Sequence, residues 1–325
     1  MPTENALCET ASEQDQVETG FRDDVLAGLS KTPKSLPCKH FYDRRGSELF
    51  DQICELPEYY PTRTEAAIIR EHADKIAAAI GPGAALVEYG SGSSTKTRLL
   101  LDELIQPAAY VPVDISAEHL KITAKRLAEA YPDLNIVPVA ADFTKPFDLP
   151  VMPRQPSHVA AYFPGSTIGN FLPSEASRLL QQISSLVGVG GGLVIGIDLQ
   201  KEAAVLEAAY NDSAGVTAAF NKNLLARINR ELDADVEVDA FRHQAVYDNE
   251  AGRVSLSLVS EADQTAVVEG EEIEFVEGEA IHTEYSHKYT IDGFAELAAE
   301  AGFALHQVWS DPREWFAVLH LVVEG

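Results

Sequence analysis

Ala85-Leu86-Val87-Glu88-Tyr89-Gly90-Ser91-Gly92-Ser93-Ser94-Thr95 begins as a short apolar run and ends in a glycine-rich turn, just before a helical pattern at Lys96 to Leu104. A run this short, apolar at consecutive positions, reads as a strand buried on both faces. The unit recurs downstream. Strand patterns at Tyr110 to Asp114, Ile136 to Ala140, His158 to Phe163 and Gly192 to Leu199 alternate with helical patterns at His119 to Ala130 and Ser174 to Leu186. Parallel strands need a long crossover between them, which a helix supplies, so the alternation predicts an α/β fold: a parallel sheet with helices on both faces.

Helical patterns also precede this stretch, at 16 to 29 and 46 to 54. Thr62, with Glu65 three residues on, predicts a capping box that opens a helix through Ile80. The alternation stops at Lys201. Helical segments Lys201 to Tyr210 and Ala214 to Leu232 follow, broken by Asn211-Asp212-Ser213, and then several period-2 strands between 236 and 290. From Asp292 a helix to Ala301 and strands around 304 to 310 and 316 to 324 read as a return to the sheet through an antiparallel pair. The expected organisation is a disordered acidic tail at 1–15, a core at 64–200 and 289–325, and a second, α+β domain assembled from 16–63 and 201–288.

The chain has 325 residues, 46% of them apolar, and a formal net charge of −26. That much negative charge repels phosphate backbones and anionic lipid, and the short basic groups at Lys121 to Arg126 and Arg44-Arg45 read as solvated faces. Neither nucleic acid nor membrane is an expected partner. The apolar stretch Leu186 to Leu199 is glycine-interrupted and falls short of the ~20 residues that span a bilayer. The acidic N-terminus has no signal-peptide pattern, so a cytoplasmic protein is expected, and a monomer. Cys8, Cys38 and Cys54 are too few and too widely spaced for a disulfide framework or a zinc site, and the histidines form no metal-binding motif; no metal is expected.

In an open parallel sheet, ligands bind outside the carboxyl ends of the strands. The first strand ends in Gly90-Ser91-Gly92, where two glycines give a tight turn and let backbone approach a ligand, but Thr95 stands where a dinucleotide fingerprint has its third glycine. The second ends in Asp114, 24 residues beyond Gly90, where a carboxylate can accept both ribose hydroxyls. The third ends in Asp142-Phe143, a carboxylate for an adenine amino group beside an aromatic ring. Nothing beyond one turn could hold a pyrophosphate. S-adenosylmethionine, an adenosyl ligand without phosphate, fits this set better than NAD, and the terminal helix with its paired strands resembles the end of class I methyltransferases.

Over about residues 16 to 325 the chain is similar to a known family. Lys34-Ser35-Leu36-Pro37, Phe41-Tyr42-Asp43, Gly46-Ser47-Glu48-Leu49-Phe50, Leu56-Pro57-Glu58-Tyr59-Tyr60-Pro61-Thr62-Arg63-Thr64-Glu65, Gly90-Ser91-Gly92, Gly165-Ser166-Thr167-Ile168-Gly169-Asn170 and Ala214-Gly215-Val216-Thr217-Ala218-Ala219-Phe220-Asn221 together resemble the histidine-specific N-alpha-methyltransferases of ergothioneine biosynthesis. The resemblance implies a class I (Rossmann-like) methyltransferase core with a second, substrate-binding domain. It also implies trimethylation of the α-amino group of L-histidine to hercynine, with S-adenosylmethionine as methyl source. Carried over by motif, the cofactor residues are Tyr42, Phe50, Gly90, Lys96, Asp114, Asp142 and Phe143. The substrate residues are Tyr59, Asn170, Tyr210, Thr217, Phe220, Glu284 and Ser286, with Leu256 lining the imidazole pocket where some relatives have Met. Asn170 and Tyr210 would hold the carboxylate, while Tyr59, Glu284 and Ser286 surround the imidazole. Tyr42, Asn170 and the backbone at Gly165 would position the reacting amine.

One part of that assignment has support in the residues themselves. Ile281 to Tyr289 alternates, and residues two apart share a strand face, so Glu284 and Ser286 point the same way and could pair with both ring nitrogens. His282 and Lys288 fall on the same side, which leaves a solvated strand face as the competing reading. Two other functions stay open: an N-methyltransferase of tyrosine or tryptophan, and a protein that binds S-adenosylmethionine without turnover.

Overall fold

The structure is a computed structural model that describes residues 20–92 and 95–325, apart from the side chains of Thr95, Glu118 and His119. The expected tail at 1–15 and the turn residues Ser93-Ser94 lie outside the described residues. The chain divides into two compact units. Of the described residues, the larger comprises Cys54–Ala209, Tyr247–Val254 and Tyr285–Gly325; the smaller comprises residues 20–53, Tyr210–Val246 and Ser255–Glu284. Residues 54–63, 201–209, 247–254 and 285–288, expected in the second domain, fall in the larger unit, and a helix running from Tyr60 to Ile80 crosses the expected boundary at residue 63.

In the larger unit, β1 (Ala84–Tyr89), β2 (Ala109–Asp114), β3 (Val139–Ala140), β4 (His158–Phe163) and β5 (Gly192–Asp198) pair in parallel. β12 (Phe316–Val323) adds antiparallel to β5, and β11 (Phe303–Ser310) antiparallel to β12. The sheet order is β11-β12-β5-β4-β1-β2-β3, the class I, Rossmann-like arrangement that the sequence predicts. Alternate strand residues serve opposite faces. Val87, Val111, Phe163 and Ile195 pack with α6 (Pro173–Val187) and α9 (Ile291–Ala299) through Leu179, Leu180, Ile183, Phe294 and Ala298. Leu86, Tyr110, Tyr162 and Val194 pack with α3 (Tyr60–Ile80), α4 (Thr95–Leu101) and α5 (Ala117–Ala130) through Ile69, Ile76, Leu100 and Leu127. Each large apolar side chain buried this way is worth roughly 1.5–3 kcal/mol over exposure, which is why both faces must be covered.

Two local expectations fail for identifiable reasons. Ile136 to Ala140 was expected as one strand, but only Val139–Ala140 pairs continuously, with a lone bridge from Ile136 to Tyr110. Pro138 interrupts it, as a residue without an N–H can do only on a sheet edge. The capping box at Thr62 and Glu65 does not form either. α3 begins earlier, with Pro61 in its first turn where no N–H is needed, Thr62 bonds the Cys54 thiol at 3.3 Å, and Glu65 is fully buried.

The smaller unit contains α1 (residues 20–29), most of α2 (Arg44–Glu55), α8 (Val216–Glu231) and most of a three-stranded sheet in the order β10 (Ala280–His287), β7 (Arg253–Ser260), β6 (Phe241–Asp248). α7 (Ala203–Tyr210) ends where this unit resumes. A separate hairpin joins β8 (Gln264–Val268) to β9 (Glu271–Phe275). Its two loop residues, Glu269 and Gly270, both have positive φ (52° and 82°), as a tight hairpin whose twist matches its strands requires.

Candidate active site

The residues expected to hold an adenosyl ligand lie at and just beyond the carboxyl ends of β1 to β3. Gly90 (φ 72°) closes the turn by donating its N–H to the Val113 carbonyl at 2.9 Å, and a Cβ placed on it would stand 3.8 Å from the Phe143 ring. Asp114, half-buried, accepts Ser116 N–H at 2.9 Å through Oδ1 and faces the Gly92 N–H at 3.5 Å through Oδ2. Asp142 accepts the Thr144 N–H at 3.1 Å. Phe143 is held edge-on against Tyr89 and Phe163, with ring centroids 5.8 and 5.7 Å away. Carboxylates at the ends of two neighbouring strands, with an aromatic ring between glycine backbone and core, match the donors and the flat face of adenosine. S-adenosylmethionine therefore fits the residues present.

Lys96 pairs with a carboxylate that sequence reasoning assigned to a helix cap. Glu65, on α3, accepts the Lys96 ammonium from α4 and the Gly165 N–H, 3.0 Å from each carboxylate oxygen. Gly165 and Ser166 follow β4 with consecutive positive φ values of 81° and 57°, a sharp turn that needs outside support. Glu65 supplies it at Gly165, and the Asp198 N–H does so at Ser166 Oγ (2.8 Å). Lys96 and Gly165, assigned to cofactor and amine by resemblance, thus meet at one buried acid. Glu88, one strand position before Tyr89, is a second buried acid: burial pushes it up to about 8, while Tyr110 and Thr97 hydroxyls donate to it.

At the end of β5, Asp198 collects a larger polar cluster. It is fully buried and accepts Tyr60 OH at 2.7 Å, Lys201 Nζ at 2.6 Å and Lys288 Nζ at 2.7 Å. Burial alone would raise its carboxyl, but Lys288 and Lys201 prevail and hold it below its ordinary value. Lys288 also donates to Ser286 Oγ at 2.8 Å. The solvated-face alternative for β10 is thereby overturned, because Lys288 is 3% exposed and Glu284 and Ser286 are buried with it. Asn170, half-buried, ends the short 3-10 turn Thr167–Asn170, whose Gly169 carbonyl meets His287 Nδ1 at 2.9 Å. Tyr59 is buried at the start of α3, its carbonyl capped by Arg63 at 2.9 Å.

In the smaller unit, Tyr42, Phe50 and Phe220 form one aromatic cluster, with centroids 5.6 Å (Tyr42 to Phe50), 5.8 Å (Tyr42 to Phe220) and 6.0 Å (Phe50 to Phe220) apart. The resemblance had divided them between cofactor and substrate. Asp43 fixes this corner by accepting Gly46 N–H at 2.7 Å and Asn223 Nδ2 at 2.8 Å. The break Asn211-Asp212-Ser213 has a purpose: Asp212 accepts the N–H groups of Val216 and Thr217, both at 2.8 Å, and so caps α8. Tyr210 and Thr217 flank that cap. Leu256, on β7, is 1% exposed, and Glu284 is on the neighbouring strand β10.

Glu65, Asp198, Lys201 and Lys288 are polar residues to which sequence reasoning assigned no part in binding or catalysis. One signal was available: Gly196 within the apolar β5 run marks a close approach, and a Cβ there would stand 2.2 Å from Glu65 Oε1. Among the described residues, no group of three or more His, Cys, Asp or Glu could hold a metal ion, and no helix is long and apolar enough to cross a membrane.

A family model described as histidine-specific, S-adenosylmethionine-dependent methyltransferase matches residues 21–323. The chain is 42% identical to histidine N-alpha-methyltransferase of Mycolicibacterium smegmatis, over 94% of this chain and 95% of that one. It is likewise 42% identical to the protein of the same name in Mycobacterium tuberculosis, over 92% and 93%. Ergothioneine biosynthesis protein 1 of Neurospora crassa is 29% identical over 90% of this chain, which spans 33% of that longer protein.

Proposed function

This chain belongs to the histidine-specific, S-adenosylmethionine-dependent methyltransferase family, and from that premise we propose that it methylates the α-amino nitrogen of L-histidine three times, giving hercynine, the first step of ergothioneine biosynthesis. It is an enzyme, an N-alpha-methyltransferase. The observation that carries the reading is the crevice of Gly90, Asp114, Asp142 and Phe143, whose acceptors and aromatic face suit adenosine. Tyrosine and tryptophan are not favoured as substrates, because the relatives at 42% identity are named for histidine.

S-adenosylmethionine supplies an electrophilic methyl group on a sulfonium. What the protein must add is an uncharged amine in line with it, and an α-amino group with a pKa near 7.7–8.0 is mostly protonated at neutral pH. The proton leaves first. Tyr42, Asn170 and the backbone at Gly165 are the groups we assign to holding that amine. The Gly165 N–H is committed to Glu65, so this residue can offer the amine only its carbonyl oxygen. No dedicated base is invoked; protons pass to water, and catalysis is chiefly positioning, a contribution worth ~7–11 kcal/mol.

We assign Asn170 and Tyr210 to the substrate carboxylate, Tyr59, Glu284 and Ser286 to the imidazole, and Thr217, Phe220 and Leu256 to the surrounding wall. Lys288 donates to Ser286 Oγ, which aims the serine's own O–H away from the ammonium and makes it a donor toward a ring nitrogen. The enzyme is read as a cytoplasmic monomer, and its charge of −26 argues against nucleic acid and membrane as partners. Mass spectrometry of products formed from S-adenosylmethionine and each of the twenty amino acids tests the reaction: mono-, di- and trimethylated histidine are expected, and a different preferred amino acid would refute it. Glu284→Ala tests the site. It should lower kcat/KM for histidine roughly fivefold to a hundredfold, as expected for ~1–3 kcal/mol from an unpaired ring nitrogen, with little loss of any residual activity on tryptophan. Equal losses on both would make Glu284 structural.

A further inference from the structure

We propose that Glu65 is a positioning residue whose charge allows the crevice to hold a cationic cofactor in preference to its neutral product. The inference rests on the reading of the crevice as an S-adenosylmethionine site. Glu65 is a buried carboxylate paired with Lys96, which resemblance assigns to the cofactor: Glu65 is 0% exposed, while the Lys96 side chain keeps 18% of its surface. The pocket for the carboxylate is built. Gly196 leaves β5 without a side chain where Glu65 Oε1 lies, 2.2 Å from an ideal Cβ, and the Gly165 N–H is turned onto both oxygens at 3.0 Å. A Cβ on Gly165 would in turn stand 3.5 Å from Lys96 Nζ, so acid, ammonium and turn form one packed group.

The charge count gives this group its role. Lys96 is suited to a carboxylate of the ligand, yet methyl transfer removes the positive charge from the cofactor: the sulfonium enters and a neutral thioether leaves. An uncompensated ammonium near that sulfur would raise the free energy of the bound substrate form and leave the product form unaffected, and the site would be product-inhibited. Glu65 cancels the charge of Lys96 without removing its N–H donors. Burial pushes the carboxyl of Glu88, the other buried acid near Lys96, up to about 8, whereas Glu65 is the acid that pairs directly with Lys96.

Isothermal titration of the purified protein with S-adenosylmethionine and with S-adenosylhomocysteine separates this role from a structural one. In Glu65→Gln, which keeps the shape, the ratio of Kd for S-adenosylmethionine to Kd for S-adenosylhomocysteine should rise about tenfold over wild type, the equivalent of ~1.4 kcal/mol. Lys96→Met leaves the opposite imbalance and should lower the ratio, and this holds whether or not Glu65→Gln folds. The double variant Glu65→Gln/Lys96→Met should return the ratio to the wild-type value even though both affinities fall. An unchanged ratio in the folded single variants, with both ligands weakened alike, would overturn the proposal and leave the site reading intact. Wild-type protein that binds neither ligand would overturn the site reading and the proposal together.

Discussion

Lys201 is a surplus cation in a buried cluster, and removing it should stabilise the protein at neutral pH. One carboxylate, Asp198, faces two ammonium groups, Lys201 at 2.6 Å and Lys288 at 2.7 Å, and all three side chains are 6% exposed or less. Burial pushes Lys201 from 10.5 down to about 8, the attraction of Asp198 and, less strongly, Asp311 opposing this and the repulsion of Lys288 adding to it. That displacement corresponds to roughly 3 kcal/mol of unfavourable free energy for the charged form. The folded pKa is depressed, so between about pH 8 and 10.5 the unfolded chain binds more protons. The penalty is therefore full below pH 8, and stability is regained as pH rises toward 10.5. Lys201→Met removes the penalty and leaves a balanced Asp198–Lys288 pair with Tyr60 OH still donating at 2.7 Å. Some of the gain is offset by the bonds from Lys201 to Tyr60 OH and the Leu199 carbonyl, each worth about 0.5–1.5 kcal/mol net. Urea unfolding at 25 °C should show Lys201→Met more stable than wild type by about 1–2 kcal/mol at pH 7, an advantage that shrinks and is lost by pH 10.5. A variant that is less stable at pH 7, or whose difference from wild type does not change with pH, would refute the reasoning.

Asp114→Ala should fold normally and bind S-adenosylhomocysteine more weakly by about 1.5–3 kcal/mol, the worth of charged hydrogen bonds to a ribose diol; unchanged affinity by calorimetry would remove Asp114 from the site. Gly169→Ala puts a Cβ 2.7 Å from the His287 carbonyl oxygen and 3.2 Å from its nitrogen, both backbone atoms that cannot rotate away. The turn carrying Asn170 must shift, at a cost of about 1–3 kcal/mol in stability. Urea unfolding should show that loss, and kinetics should show a higher KM for histidine with S-adenosylhomocysteine affinity nearly unchanged; a KM equal to wild type would mean that Asn170 does not contact the substrate.

The core fold was legible because its causes are local. A strand buried on both faces must be apolar at consecutive positions, a parallel neighbour must be reached through a helix, and a turn against a ligand must be glycine; each leaves a mark within ten or twenty residues. β4 was read with its true ends, His158 and Phe163, and the proposed cofactor residues Gly90, Asp114, Asp142 and Phe143 were read from strand ends alone. Where a local rule had two uses, the sequence misled. Glu65 sits three residues after Thr62, as a capping box demands, and only packing shows that its partners are Lys96 and the Gly165 N–H, 31 and 100 residues away.

The pairing of charges was decided by tertiary structure for the same reason. Asp198 and Lys288 are 90 residues apart, Asp198 and Tyr60 are 138 apart, and no periodicity relates them. Lys288 continues a strand face that could as well have been solvated; it is buried because the partner that makes its burial tolerable arrives from β5. The sequence by itself determined which segments would be strands and helices and where a ligand could approach the sheet. Which acids and bases would meet inside it was decided by folding, since the free energy of a buried charge depends on what lies within a few ångströms in space and hardly at all on what lies beside it along the chain.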